Sequence, residues 1–442
     1  MVEMYGLGAW VAHCSGLMVP AVNLDNAATT PPFADVAREV QQQMLHYGSI
    51  GRGVGQKSKH SSMVYEKGRK AILDFLGADE DEYTVFYTSN TTDGMNKLAG
   101  ALTGGSDEVL VVSTRMEHHA NDLPWRGRAH MAYAEVDADG RLILDDFARI
   151  LRRHEYSRMT KYVTVTAASN VTGYINDVHS IAQVAHKYGA KIIVDGAQIV
   201  AHRPFAMHGT DKNEDIDFFV FSAHKMYSPF GAGAVVGRKD LLNSHLPQFC
   251  GGGMVETVTD DAVVYAKAPD LYEAGSPGVP GVVGMLKSIE ILQNIGFENI
   301  IKHEQKLLRR ALDGLSKIRN IALYGDNTNI ADRVGILVFN IEGRQPIDIA
   351  NELAGRAGIA VRHAAFCAHP YVRRLEGKAP HELCGQAEAP RGMVRASFGI
   401  YNTEADVDLL VQTVKEIAAD SEVRISECPP WDEHTKTPND RA

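Results

Sequence analysis

Asp195 and Lys225 are the two residues whose types and settings point most directly to shared chemistry. The run Lys191-Ile192-Ile193-Val194 leads into Asp195-Gly196-Ala197-Gln198, and Phe218-Phe219-Val220-Phe221 leads into Ser222-Ala223-His224-Lys225. Short apolar runs that stop abruptly at polar residues read as fully buried parallel strands. In open α/β sheets, ligands gather beyond the carboxyl ends of such strands. Two neighbouring strands would therefore bring a carboxylate and an amine into one crevice. That pair suits pyridoxal phosphate, which needs a lysine for its Schiff base and an acid against its ring nitrogen. Taken singly, Lys225 also reads as a surface lysine after a strand, and Asp195 as a turn cap.

A second chemical feature is Ser89-Asn90-Thr91-Thr92, which follows the apolar strand Thr84–Tyr87 and opens a helix with Met95, Leu98, Ala99 and Leu102 on its apolar stripe. A helix start carrying small hydroxyl residues offers free N–H groups and a positive dipole end, a place for a phosphate. Plain N-capping by the same side chains accounts equally for the pattern.

Seven segments stand in a fixed order: Leu24-Asp25-Asn26-Ala27-Ala28-Thr29-Thr30, Ser89-Asn90-Thr91-Thr92, Glu117-His118-His119-Ala120-Asn121, Ser169-Asn170-Val171-Thr172-Gly173, Asp195-Gly196-Ala197-Gln198, Ser222-Ala223-His224-Lys225 and Val394-Arg395-Ala396-Ser397. Together they resemble the class V aminotransferase family, in particular its cysteine desulfurases and selenocysteine lyases, from about residue 22 to about residue 415. The resemblance implies a fold type I pyridoxal-phosphate enzyme of the α/β class. Its large domain would hold a mainly parallel seven-stranded sheet flanked by helices, with a smaller α+β C-terminal domain.

The resemblance also implies roles. Lys225 is the Schiff-base lysine and carries the proton at the substrate α-carbon. Asp195 keeps the ring nitrogen protonated, Gln198 meets the ring hydroxyl, and His118 stacks on the ring and passes protons. Thr91, Thr92, Ser222 and His224 surround the phosphate and ring periphery. Asn170 meets the ring hydroxyl or the substrate carboxylate. Ser276 contacts the phosphate of the neighbouring subunit's cofactor, so a homodimer is implied. Arg395 clamps the substrate carboxylate, since a planar guanidinium binds a carboxylate through two parallel bonds.

Reaction type turns on Cys367, in Val361-Arg362-His363-Ala364-Ala365-Phe366-Cys367-Ala368-His369-Pro370. Cysteine desulfurases with a short active-site loop carry the nucleophile in a segment reading Val-Arg, four residues, Cys-Ala, which Arg362 and Cys367 match. Ala365 and Phe366 stand where the family often has histidines. A thiolate needs nearby positive charge to form at neutral pH, and Arg362, His363 and His369 are candidates. The expected reaction converts L-cysteine to L-alanine and leaves a persulfide on Cys367 for an acceptor protein or thiol. A selenocysteine lyase, another carbon–sulfur lyase or an epimerase of the same family is the alternative. A nicotinamide enzyme is a remote third option, with no glycine fingerprint after an early strand to support it.

The loop Gly48–Gly55 resembles one that often reads His-Arg-Gly in the family and reaches the other subunit's active site; here Gly51 replaces the His and Arg52 is kept. His369, His381 and Cys384 match no standard zinc spacing, so no metal site is expected.

The elements that must position these residues alternate. The unit Asp177 to Tyr188 is a helix capped by Asp177 and ended by Gly189, and the strand to Val194 follows it, as a parallel α/β domain requires. The chain divides on this reading into a segment 1–32 packing with the small domain, a cofactor-binding domain 33–290, a small domain 291–424 and a polar, disordered tail 425–442. An insertion, 376–391, separates the Cys367 loop from Val394.

Its 442 residues exceed one small core. A net charge of −10 disfavours nucleic acid. No apolar run approaches the length of a membrane span, and the start lacks a basic leader. Five widely spaced cysteines, at 14, 250, 367, 384 and 428, form a reduced, cytoplasmic pattern rather than a disulfide framework.

Overall fold

The computed structural model describes residues 3–6, 8–13, 18–51, 53–104, 108–378 and 391–420. Cys14, Arg52, His381, Cys384, Cys428, most of the 376–391 insertion and the 425–442 tail lie outside the described residues. The chain forms two units. The larger comprises Pro32–Ser169 and Tyr174–Ile300, and the smaller Met1–Pro31, Asn170–Gly173 and Ile301–Ala442. The division falls at Ile300 and Ile301, inside helix Phe297–Leu315, against an expected limit at 290. Residues 170–173 belong to the smaller unit although sequence neighbours on both sides belong to the larger.

A seven-stranded sheet organises the larger unit. Its order is Tyr83–Thr88, Gly233–Arg238, Phe218–Ser222, Ala190–Asp195, Thr160–Thr166, Val109–Thr114 and His130–Ala134. Gly233–Arg238 runs antiparallel to both its neighbours, and the other pairings are parallel. The mainly parallel α/β architecture expected from the sequence is thus present. Strands with helices over both faces bury every side chain, which explains the unbroken apolar runs. Phe86, Leu98, Val111, Ile193, Phe218 and Val220 lie in one of the cores formed this way.

The register decides where chemistry can occur. Asp195 stands opposite Val220 on the neighbouring parallel strand, so both strands run out at the same end of the sheet. The turn after Asp195 needs glycine: a Cβ on Gly196 would lie 2.0 Å from the Phe219 ring. Helix Thr91–Thr103 leaves the edge strand Tyr83–Thr88 with Asn90 as its cap, and the Asn90 side chain accepts from the Asp93 N–H.

The smaller unit contains a four-stranded antiparallel sheet in the order Ile321–Leu323, Ile336–Ile341, Met393–Ser397 and Arg362–Ala364. Helices Pro346–Ala357 and Glu404–Ala419 supply apolar faces to its core, the latter opened by a Thr403–Asp406 capping box. Strand Val22–Asn23 pairs in parallel with Ile359–Ala360, and Val22 and Leu24 enter this core. The following motif is pinned to Ser397: its N–H donates to the Leu24 carbonyl at 2.7 Å, and its hydroxyl accepts from the Ala27 N–H at 2.9 Å.

Helix Gln56–Phe75 opens on polar turns that bury Ser58 and Ser61. Strand His130–Ala134 is a half-buried edge strand, and the hairpin Val255–Val258 with Val263–Tyr265 is exposed along most of its length.

Candidate active site

Within the larger unit, the ends of the parallel strands bring most of the expected cofactor residues together. Asp195 is 3% exposed and accepts a hydrogen bond from the Ala197 N–H at 3.0 Å. Burial pushes its pKa up, opposed by that hydrogen bond and by the Lys225 ammonium. A buried carboxylate in this state calls for a positive partner. Lys225, half-buried, closes the short turn Ala223–Lys225. Beside it, burial and then the Lys225 charge pull the His224 pKa down to about 4, so His224 is a neutral imidazole near pH 7.

The helix start is built around Ser222. The Thr91 N–H donates to Ser222 Oγ at 2.6 Å, and the two hydroxyls also meet at 2.6 Å. Thr92 follows on the exposed side of the same turn. Asn90 and Asp93 do the capping, with the Ser89 N–H donating to Asp93 at 2.9 Å. The hydroxyls of Thr91 and Ser222 are buried and bonded to each other at this helix start.

His118 ends its strand connection as the cap of the turn His119–Asn121, where its Nδ1 accepts from the Ala120 N–H at 3.0 Å. An accepting Nδ1 places the neutral ring's proton on Nε2. Gln198 is 3% exposed and precedes the turn Ile199–Ala201. Ser276 stands on an exposed loop after Gly275, whose φ is +84°. Gly51 adopts φ +90°, a conformation that the family's histidine would be strained to take.

The sequence reading gave no role to Glu117, which proves to be the most deeply embedded ionisable group here. It accepts from the Thr114 hydroxyl at 2.6 Å, the Asn121 amide at 2.6 Å and the Thr166 N–H at 3.1 Å. Burial nevertheless pushes its pKa up to about 8, with the Asp195 charge adding to the rise. The spacing of Thr114, Glu117 and Asn121 was visible in the sequence; Thr166 was not.

The remaining residues lie in the smaller unit. Cys367 is exposed, a free thiol, and has φ +55°; Phe366 and Ala364 are also left-handed at +51° and +83°. Three such residues without glycine mark a loop held in a costly conformation, and functional sites are where such cost concentrates. Two clamps hold it. Asn170 donates to the Phe366 carbonyl at 2.7 Å, and Gly392 packs so closely that a Cβ there would lie 2.5 Å from Ala364 Cα.

Arg395, 2% exposed, donates from Nη1 to the Asn170 carbonyl at 2.9 Å and from Nη2 to Asp25 at 3.0 Å, with its guanidinium 5.0 Å from the centre of the Phe366 ring. Its Nε is buried with no hydrogen-bond partner. Burial lowers its pKa, with Asp25 and the Cys367 thiol acting the other way. Part of Arg395 is therefore a structural ion pair, and part is an unused donor that a carboxylate can satisfy. Arg362 is half-exposed and reaches Asp25 at 3.4 Å, so it serves Asp25 rather than Cys367 in this structure. Asn170, expected at the cofactor or substrate, gives one of its two amide N–H groups to the Phe366 carbonyl.

The donors of the larger unit fit pyridoxal phosphate: a buried carboxylate for a protonated ring nitrogen, a lysine amine, a neutral imidazole, and hydroxyls at a helix N-terminus. Among the described residues, no helix is long and apolar enough to cross a membrane, and no cluster of three or more His, Cys, Asp or Glu side chains is placed to hold a metal.

Residues 22–410 match the model of the family described as aminotransferase class V. A cysteine desulfurase of Haloferax volcanii is 35% identical over 405 residues, covering 89% of each chain. One from Klebsiella pneumoniae is 33% identical over 409 residues, covering 90% of this chain and 93% of its own. Among solved structures, an apo cysteine desulfurase of Thermococcus onnurineus superposes with a TM-score of 0.80 at 29% identity, covering 90% of this chain and 94% of its own. An Escherichia coli cysteine desulfurase in an S-sulfonic acid form gives 0.76 at 29% identity with the same coverage.

Proposed function

Since the chain belongs to the class V aminotransferase family, we propose that it is a pyridoxal-phosphate-dependent cysteine desulfurase, which takes the sulfur of L-cysteine as a persulfide on Cys367 and releases L-alanine. The observation that carries this reading is Cys367 itself: an exposed thiol on a left-handed loop, within electrostatic reach of the buried Arg395.

When bound, pyridoxal phosphate supplies the electron sink that lets an amino acid lose its α-proton. Lys225 anchors the cofactor and moves the proton at the substrate α-carbon. Asp195 holds a proton at the ring nitrogen, and its burial makes that pairing strong. Thr91 and Ser222 hold the phosphate with Thr92 beside them, His224 and Gln198 line the ring periphery, and His118 passes a proton through Nε2. Arg395 orients the substrate through its carboxylate. The Cys367 thiolate bonds to the substrate sulfur as the carbon–sulfur bond breaks; the electron pair stays on carbon, which a proton then converts to the methyl group of alanine. An acceptor thiol, on a protein or a small molecule, discharges the persulfide.

A homodimer is part of the proposal. The exposure of Ser276 supports it, since a hydroxyl serving a neighbouring subunit must stand clear of its own chain. The cysteine pattern supports a cytoplasmic location.

The test is a panel of L-cysteine, L-selenocysteine and a thioether amino acid, scored for alanine and released sulfide or selenide. One alanine per sulfide from L-cysteine is expected. Cys367→Ala should keep the cofactor absorbance band and lose sulfur release from cysteine; full turnover in that variant would falsify the persulfide route.

A further inference from the structure

Strand Tyr83–Thr88 is the edge of the seven-stranded sheet, and an edge leaves backbone groups with no strand to pair. Two of these groups are met by side chains that are far apart in sequence. Arg69 Nη1 donates to the Val85 carbonyl at 2.6 Å, and the Tyr87 N–H donates to Glu273 Oε1 at 2.6 Å. Arg69 and Glu273 pair with each other at 2.7 and 2.9 Å. An ion pair thus stands where a neighbouring strand would.

The pair is embedded. Its side chains are 9% and 12% exposed, the Tyr65 hydroxyl donates to Glu273 at 2.8 Å, and the guanidinium lies about equally close to the Tyr65 and Tyr87 rings, at 5.0 and 4.9 Å. Four donor contacts on one carboxylate exceed what edge protection needs. A surface lysine or a proline would blunt the strand at lower desolvation cost.

What Glu273 adds is position. It is the root of the turn Ala274-Gly275-Ser276, whose Gly275 N–H donates to the Gly252 carbonyl at 2.8 Å. The residue before it is fixed as well: Lys97 of helix Thr91–Thr103 donates to the Tyr272 carbonyl at 3.1 Å, and the Tyr272 ring stacks on Phe86 at 4.8 Å. Residues 272 and 273 are therefore tied to both the strand and the helix that flank Thr91.

We propose that Glu273, backed by Arg69, is a positioning residue that fixes the Ser276 loop so that Ser276 can meet a cofactor phosphate. This rests on the reading that Ser276 contacts that phosphate.

The test is a double-mutant cycle on cofactor affinity. Glu273→Gln, Ser276→Ala and the double variant are stripped of cofactor and titrated with pyridoxal phosphate, with the dissociation constant read from the absorbance band. Gln keeps an oxygen for the Tyr87 N–H and removes the charge that Arg69 pairs with. If Glu273 acts through Ser276, Glu273→Gln weakens binding about tenfold in the parent and less than about twofold in the Ser276→Ala background. Equal losses in the two backgrounds make Glu273 a general structural support and overturn the proposal. Should Glu273→Gln fail to fold, Arg69→Lys runs the same cycle, keeping the charge and losing the fork. A parent that forms no band at all brings down the functional reading, whereas a parent band with additive losses brings down the anchor alone.

Discussion

Glu117 holds a proton that its surroundings make hard to lose. Its folded pKa of about 8 lies above the ordinary 4.5, so the folded chain binds that proton more tightly than the unfolded chain. The stability this contributes is complete below about pH 4.5 and is lost as pH rises through about 8. Glu117→Gln, uncharged throughout, should therefore lose less stability between pH 6 and 9 than the parent, by about 3 kcal/mol at most. Urea midpoints of the cofactor-free proteins at several pH values measure this. Arg395 carries a second prediction. Arg395→Lys keeps a positive charge and gives up the planar fork, so KM for L-cysteine should rise about tenfold or more while the cofactor band stays in place.

The Cys367 loop shows how an element transmits sequence into chemistry. Gly392 sits at φ +87° with Ala364 against it. Gly392→Ala adds the left-handed penalty of about 1–2 kcal/mol and pushes on the loop. Slower alkylation of Cys367 by iodoacetamide, with cofactor affinity unchanged, is the expected result. Elements of this kind were unevenly legible in the sequence. The strand ends at Asp195 and Ser222 could be read because buried parallel strands change from apolar to polar within one residue. Helix Val178–Lys187 could be read from its apolar spacing and its Asp177 cap. Strand His130–Ala134 could not, because an edge strand needs no continuous apolar run. Neither could the tie between Asn170 and Phe366 or the pairing of Arg69 with Glu273, since nothing local in a chain records which distant residues its backbone groups will meet.

Each unit has its own apolar core, so denaturation of the whole chain is not expected to follow a single two-state curve. Arg333 offers a way to separate the events. It is 1% exposed and donates to the carbonyls of Thr172, Asp326 and Ile336, each at 2.9 Å. Arg333→Ala should lower the stability of the smaller unit by about 3 kcal/mol or more. Far-ultraviolet circular dichroism should then show an earlier first transition, while the cofactor band reports the larger unit.

The smaller unit is written in three places along the chain. Strand Val22–Asn23 leaves the ribosome ahead of the larger unit, yet its partner Ile359–Ala360 is translated only after the whole of that unit. Val22 and Leu24 must therefore travel uncovered through most of synthesis while the larger unit can already close. Helix Glu404–Ala419, made later still, completes the core they enter, so nascent chains stalled before it should be the ones that chaperones hold longest.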